Sequence, residues 1–169
     1  AFPEVTPQEV VLASDPITVT VDPLPQGAPE GFDGAVGDFA LKLRIDRRTG
    51  RTGEPVTVHA VVSGEGNIAS LRDPEIRTMT PVRQYVAGSA TRIDRSGNRI
   101  SGERTVDIAL IPDRSGPLTV LPVRFSWFDP EAKRYRVQSS DTVRVEIEPG
   151  SAVASPATGL AAAGGAPAA

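Results

Sequence analysis

Few residues in this chain have the types and spacing that catalysis needs. There is one histidine, His59, and no cysteine. A Ser-His-Asp triad can be built only on His59, a thiol nucleophile is excluded, and so are multi-His or Cys-ligated metal sites. His59 sits between Val58 and Ala60 with no neighbouring motif for a nucleophile or an orienting acid, so a solvent-facing strand residue is the simpler reading. Ser63-Gly64-Glu65-Gly66-Asn67 is glycine-rich but lacks the Lys and Ser/Thr of a phosphate loop, and it reads as a turn. Asp113, Asp129 and Glu131 are loop carboxylates that could donate oxygens to calcium; no D-x-D-x-D-G run gathers them, and isolated turn acids are the plainer account. Arg92, Arg95, Arg99 and Arg104 crowd one hairpin, interspersed with Asp94 and Glu103. They form either a solvated, aggregation-resistant edge or a partner-binding patch. The residues imply no cofactor.

The elements that must position these groups are strands. Phe39, Leu41, Leu43 and Ile45 alternate with polar residues, as do Val56, Val58, Ala60 and Val62. Val106, Ile108 and Leu110 repeat the pattern, and Val143, Val145 and Ile147 close it. Period-two alternation is the mark of a half-buried strand. Segments 68–84 and 85–95 alternate poorly. Across 118–128 the face shifts at Leu121-Pro122, as at a bulge or an edge, and 128–135 closes a hairpin. Trp127 continues the Phe125 face toward the core, which leaves Phe128 exposed or covered by a neighbouring domain. No amphipathic helix of useful length is present. Some seven or eight strands within 35–148 predict an all-β, immunoglobulin-like antiparallel β-sandwich.

The flanks differ from this body. Ile17, Val19 and Val21 alternate with threonines within 9–22, predicting a further strand, and 23–34 reads as a semi-rigid Pro/Gly linker. Residues 149–169, rich in alanine and glycine, predict a flexible tail. Lys plus Arg number 18 against 21 Asp plus Glu, a net charge of −3 that argues against nucleic acid as a partner. Aromatic residues make up 5% of the chain, sparse for a carbohydrate-stacking platform.

Several strings in order resemble one known family. They are Gly34-Ala35-Val36-Gly37, the Gly64–Asn67 glycine stretch, Ile111-Pro112 followed by Gly116, and Pro122 ahead of Phe125-Ser126-Trp127-Phe128-Asp129-Pro130. Val21-Asp22-Pro23-Leu24-Pro25 resembles that family's inter-domain junction. Over about 15–148 the chain is similar to the BatD (oxygen-tolerance or aerotolerance) proteins, departing at Trp127, where tyrosine is more usual. The resemblance implies tandem immunoglobulin-like domains on the periplasmic side of a bacterial inner membrane, anchored by a transmembrane helix. On that layout 1–22 ends a preceding domain and 149–169 leads toward a membrane segment. It also implies protein partners, namely von Willebrand factor A domain membrane proteins and a MoxR-type AAA+ ATPase, and no established enzymatic activity.

The sequence reading is therefore a non-enzymatic interaction or scaffold domain, with a spacer or a carbohydrate-binding adhesin module as alternatives. Candidate partner contacts are Glu65, Asp113, Asp129, Glu131, Arg92, Arg95 and Arg99. Von Willebrand A domains often bind partners by completing a Mg²⁺ shell with a partner carboxylate, which makes the four loop acids one candidate mode and sheet-edge pairing the other.

Overall fold

The computed structural model of the protein describes residues 13–150. Among these residues the chain is all-β: β1 (Gly37–Ile45), β2 (Thr49–Arg51), β3 (Val56–Gly66), β4 (Arg83–Asp94), β5 (Ser101–Ile111), β6 (Gly116–Val120), β7 (Arg124–Asp129), β8 (Arg134–Ser139) and β9 (Val143–Glu148), with one 3₁₀ turn at Ile68–Ser70. One layer is a four-stranded antiparallel sheet in the order β1-β3-β5-β4. Facing it are the sheet β2-β9-β6 and the hairpin β7-β8; within these, β2 runs parallel to β9. The alternating residues Leu41, Val56, Val58, Ala60, Val62, Val106, Ile108 and Leu110 meet Leu118, Val120, Trp127, Val145 and Ile147 in one continuous core.

The chain departs from the sequence expectations at several places, each for a physical reason. The 118–128 stretch is two strands, not one with a bulge. At Leu121-Pro122 the chain leaves the sheet of β6 and enters that of β7, where a residue without an N–H is tolerated. The 46–54 loop holds the three-residue β2, too short to show a period. Gly64–Asn67 is not a turn, because β3 runs on through Gly66. Gly64 (φ +154°) and Gly66 (φ +142°) let β1 come close, with Phe39 lying across them; a Cβ at either would stand 2.9 Å from a Phe39 side-chain atom. The poorly alternating 85–95 stretch is the long strand β4. Its side chains are exposed on both faces but for Gly88 and Ile93, so no selection for a buried side is written into it.

Phe128 is buried, not exposed, and it is this chain's own upstream segment that covers it. Phe128, Tyr135 and Phe32 form an edge-to-face row with centroid separations of 5.3 and 5.0 Å. The Tyr135 hydroxyl donates to the Pro25 carbonyl at 2.7 Å. Asn67 accepts from the Val36 N–H and donates to the Gly34 carbonyl, both at 2.8 Å. The stretch expected as a linker is thus clasped to the sandwich at 25–36.

Upstream of that clasp, 13–22 lies in no strand. Ile17, Val19 and Val21 are 89%, 76% and 84% exposed. The expected strand lacks a neighbour to hydrogen-bond, and alternation alone cannot supply one. The end-strand reading of 1–12 and the tail reading of 151–169 lie outside the described residues. Among the described residues no helix is long and apolar enough to cross a membrane.

Candidate functional site

Two surfaces of this scaffold present chemistry. One is a cleft of about 740 Å³ at the pole where β1 begins, β3 ends, and the β4–β5 and β7–β8 turns meet. The other is the outer edge of β4.

At the cleft the fold brings together four of the seven residues singled out from sequence: Glu65, Arg99, Asp129 and Glu131. Arg99 stands at its mouth as a latch, with Nη1 at 3.6 Å from Glu65 and Nη2 on Glu131. The two carboxylates hold its guanidinium above the ordinary range, Glu131 contributing most. Asp129, expected as an exposed loop acid, is buried at 5% exposure. Its Oδ1 accepts from the Glu131 and Ala132 N–H groups at 3.0 and 2.9 Å, and its Oδ2 pairs with Arg136 at 2.7 Å. The Ala132 N–H bond, with Arg136 and the Glu131 N–H behind it, pulls its pKa below the usual carboxylate range against the opposing effect of burial. Asp129 therefore builds the β7–β8 turn, in which Lys133 takes a positive φ of 49°.

This makes Asp129 a pH-dependent part of the fold. Because its folded pKa is lowered, its contribution is fully present above the unfolded value of about 4 and is lost as pH falls through the folded value. Thermal unfolding of Asp129→Asn at pH 7 is expected to show a Tm several degrees below the parent, and the gap should shrink between pH 4 and pH 2. A gap independent of pH would show that the charge is not what holds the turn.

The remaining singled-out residues are dispersed. Asp113 lies at the opposite pole, where its Oδ1 pairs with Arg83 at 2.8 Å. Arg92 is on β4, and Arg95 follows it in the β4–β5 turn; neither is ion-paired among the described residues. Arg104 is not part of a solvated edge. It points to the inner side at 20% side-chain exposure, where it bonds Asp73 and, at 2.9 Å, the Thr91 hydroxyl. Each loop acid offered for a partner's Mg²⁺ is thus already matched by a cation of this chain. Among the described residues no three His, Cys, Asp or Glu side chains converge as a metal site would require. His59 is about one-third exposed on the outer face of the four-stranded sheet, its Nδ1 2.7 Å from Asp107. Among the described residues no nucleophile bonds to that pair.

The β4 edge was not legible in advance. Unpaired edges are where another chain can add, and folded proteins usually blunt them. Here the other edges are blunted. Gln138 covers β1, its Oε1 accepting from the Leu41 N–H at 2.9 Å and its Nε2 donating to the Leu41 carbonyl at 3.0 Å, as a neighbouring strand would. Segment 77–79 covers β6, with Met79 N–H bonded to Thr119 O and Leu121 N–H to Arg77 O. Phe128 N–H on β7 donates to Ala35 O. β2 is three residues long, and β8 carries Arg134 and Arg136. β4 has twelve residues, with no proline or lysine, and its middle run, 84–91, has no charge. Among the described residues nothing bonds to its outer side. Its protective features are the bulge between Val86 and Gly88 and the charges near its ends, Arg83, Arg92 and Asp94, while Tyr85 and Val86 remain about half exposed. Compared with known proteins, the chain matches no family model, no curated protein and no solved structure.

Proposed function

We propose that this chain is a non-enzymatic interaction and scaffold domain that recruits protein partners by strand pairing at the β4 edge. The uncovered twelve-residue β4 edge, in a fold whose other edges are blunted, carries this reading. Extended backbone adds to such an edge through main-chain hydrogen bonds, with alternate side chains conferring specificity. The ion-paired state of Glu65, Asp113, Asp129 and Glu131 weighs against capture by carboxylate-to-Mg²⁺ ligation, because each acid would first have to give up its arginine.

The resemblance to the BatD proteins supplies the setting of this proposal: a periplasmic, membrane-anchored parent acting with von Willebrand A domain proteins and a MoxR-type ATPase. One internal repetition supports tandem units of one kind. Four of the eleven residues of 13–23 recur in 139–149 at a constant spacing: Ser14 matches Ser140, Asp15 Asp141, Val19 Val145 and Pro23 Pro149. The second copy includes β9, whose Val145 and Ile147 are buried between layers. The exposed Ile17–Val21 alternation is then the matching strand of an upstream unit.

The test is a titration of the full chain against the soluble domains of such von Willebrand A proteins, with and without Mg²⁺. Saturable binding unaffected by chelator, and weakened at least tenfold by Val86→Lys, is expected. Binding abolished by chelator and by alanine at the four acids would replace the edge by the loop mode. No binding up to about millimolar would leave a spacer.

A further inference from the structure

The proposal that follows rests on the reading of β4 as a docking edge and names an occupant for it. The geometry points to a second copy of this chain, paired antiparallel along β4 about a twofold axis, with Arg83 of each copy, which also bonds Asp113, opposite Asp94 of the other, whose Oδ1 also accepts from Ser96.

Which side of the sheet each β4 residue faces follows from its register on β5. Arg83, Tyr85 and Arg92 lie opposite Ile111, Ala109 and Glu103 on the outer face. Gln84, Val86, Thr91 and Ile93 lie opposite Leu110, Ile108, Arg104 and Gly102 on the inner face. The bulge between Val86 and Gly88 shifts the alternation by one residue, so 83–86 and 91–94 can oppose each other with faces matched. With Arg83 opposite Asp94, the inner face pairs Gln84 with Ile93 and Val86 with Thr91. The outer face pairs Tyr85 with Arg92, an aromatic ring beside a guanidinium that has no ion pair among the described residues. The twofold axis passes among Ala87, Gly88, Ser89 and Ala90, small enough for two facing bulges to meet without side-chain overlap.

Charge and overlap together select this register. Slipping by two residues one way sets Arg83 opposite Arg92 on both sides of the axis, and directly opposed like charges destabilise a strand pair; slipping the other way keeps only Tyr85 with Asp94 and Val86 with Ile93 matched in face within β4. A closed twofold pairing uses the same patch on both copies and leaves β4 with no free edge, joining two four-stranded sheets into one of eight.

The alternating segment 17–21 is a poorer occupant of its own β4. Tyr135 holds Pro25 on the β8 side. Ile17, Val19 and Val21 are exposed, and among the described residues nothing in 17–21 bonds to β4.

Because the chain has no cysteine, engineered thiols read the register directly. Val86→Cys with Thr91→Cys in the full chain, under mild oxidation, is expected to give a covalent dimer with no free thiol. Neither single variant should cross-link, since like positions would stand five residues apart along the strands, about 16 Å, beyond the roughly 7 Å that a disulfide can span. Sedimentation of the unmodified chain should show a monomer–dimer equilibrium. It should be weakened at least tenfold by Asp94→Arg and recovered by Arg83→Asp with Asp94→Arg together. Cross-linking of Val86→Cys with Ser89→Cys instead would overturn the register. Association lost on Val19→Asp but indifferent to Asp94→Arg would assign the edge to the 17–21 strand. A monomer whose β4 amides are protected by a von Willebrand A partner would overturn the second copy while leaving the edge reading intact. A monomer with no such protection would overturn both.

Discussion

Replacing Trp127 by alanine is expected to lower stability by about 3–5 kcal/mol, the range for a large aromatic removed from a close-packed core. Trp127 is 5% exposed and stacks on Phe125 at 5.7 Å, and Phe125 in turn meets Phe39 of the opposite sheet edge-on at 6.0 Å. The indole therefore anchors the β7-β8 hairpin to the four-stranded sheet. Against a usual total stability of about 5–15 kcal/mol, the loss would leave a marginal domain. Among the described residues no group accepts from its buried indole N–H. Trp127→Phe discards that unpaired donor along with some volume, and it should cost no more than about 1.5 kcal/mol. Urea unfolding of both variants checks the pair. Equal losses would mean that the hairpin is not held through this ring.

The second large effect is at Gly64. An added Cβ there would overlap the Asp38 carbonyl oxygen and stand 2.9 Å from the Phe39 Cα, at a φ of +154° that side chains rarely adopt. The overlap is with backbone on a paired strand, so rotamer adjustment cannot relieve it. Gly64→Ala is expected to cost about 3 kcal/mol or more, from backbone strain and overpacking together. In thermal unfolding that is roughly 10 °C. Gly53→Ala is a fair comparison: its φ is +85°, but a Cβ would meet nothing within 4 Å, so it should lose much less. Similar losses at the two sites would show that φ alone, and not the closeness of β1 and β3, decides the matter.

Legibility of this fold in the sequence followed burial. Where one face of a strand is packed, as at Leu41, Val58, Ile108 and Val145, period-two alternation marked the element, closely for β1 and β9 and short by three to five residues where β3 ends and β5 begins. β4 was read only as poor alternation, because neither of its faces is covered and nothing constrains the pattern. The Leu121-Pro122 switch and the three-residue β2 are set by tertiary pairing, which leaves little local trace. Ile17–Val21 shows the converse: the alternation is clear, but no strand forms without a neighbour.

At the candidate site the residue types were legible and their company was not. Arg99, Glu65 and Glu131 stand far apart in sequence, and only the meeting of the β3 end with the β4–β5 and β7–β8 turns brings the one guanidinium between the two carboxylates. Asp129 looked like any turn acid; its burial follows from three bonds made within eight residues, two to backbone and one to Arg136. Gln138 and the backbone-bonding role of Asn67, which reads in the sequence only as part of a turn, were overlooked because a side-chain amide that bonds distant backbone has no periodic signature.

The central claim is that β4 is the docking edge, and amide hydrogen exchange tests it most directly. The full chain is compared alone at high dilution, at high concentration, and with a saturating soluble von Willebrand A domain. Slowed exchange confined to amides within 84–91 in either associated state, unchanged by chelator, is the predicted result. Slowed exchange at 65–67 and 129–132 with β4 unaffected, and its loss on chelation, would contradict the claim and return the interaction to the loop acids.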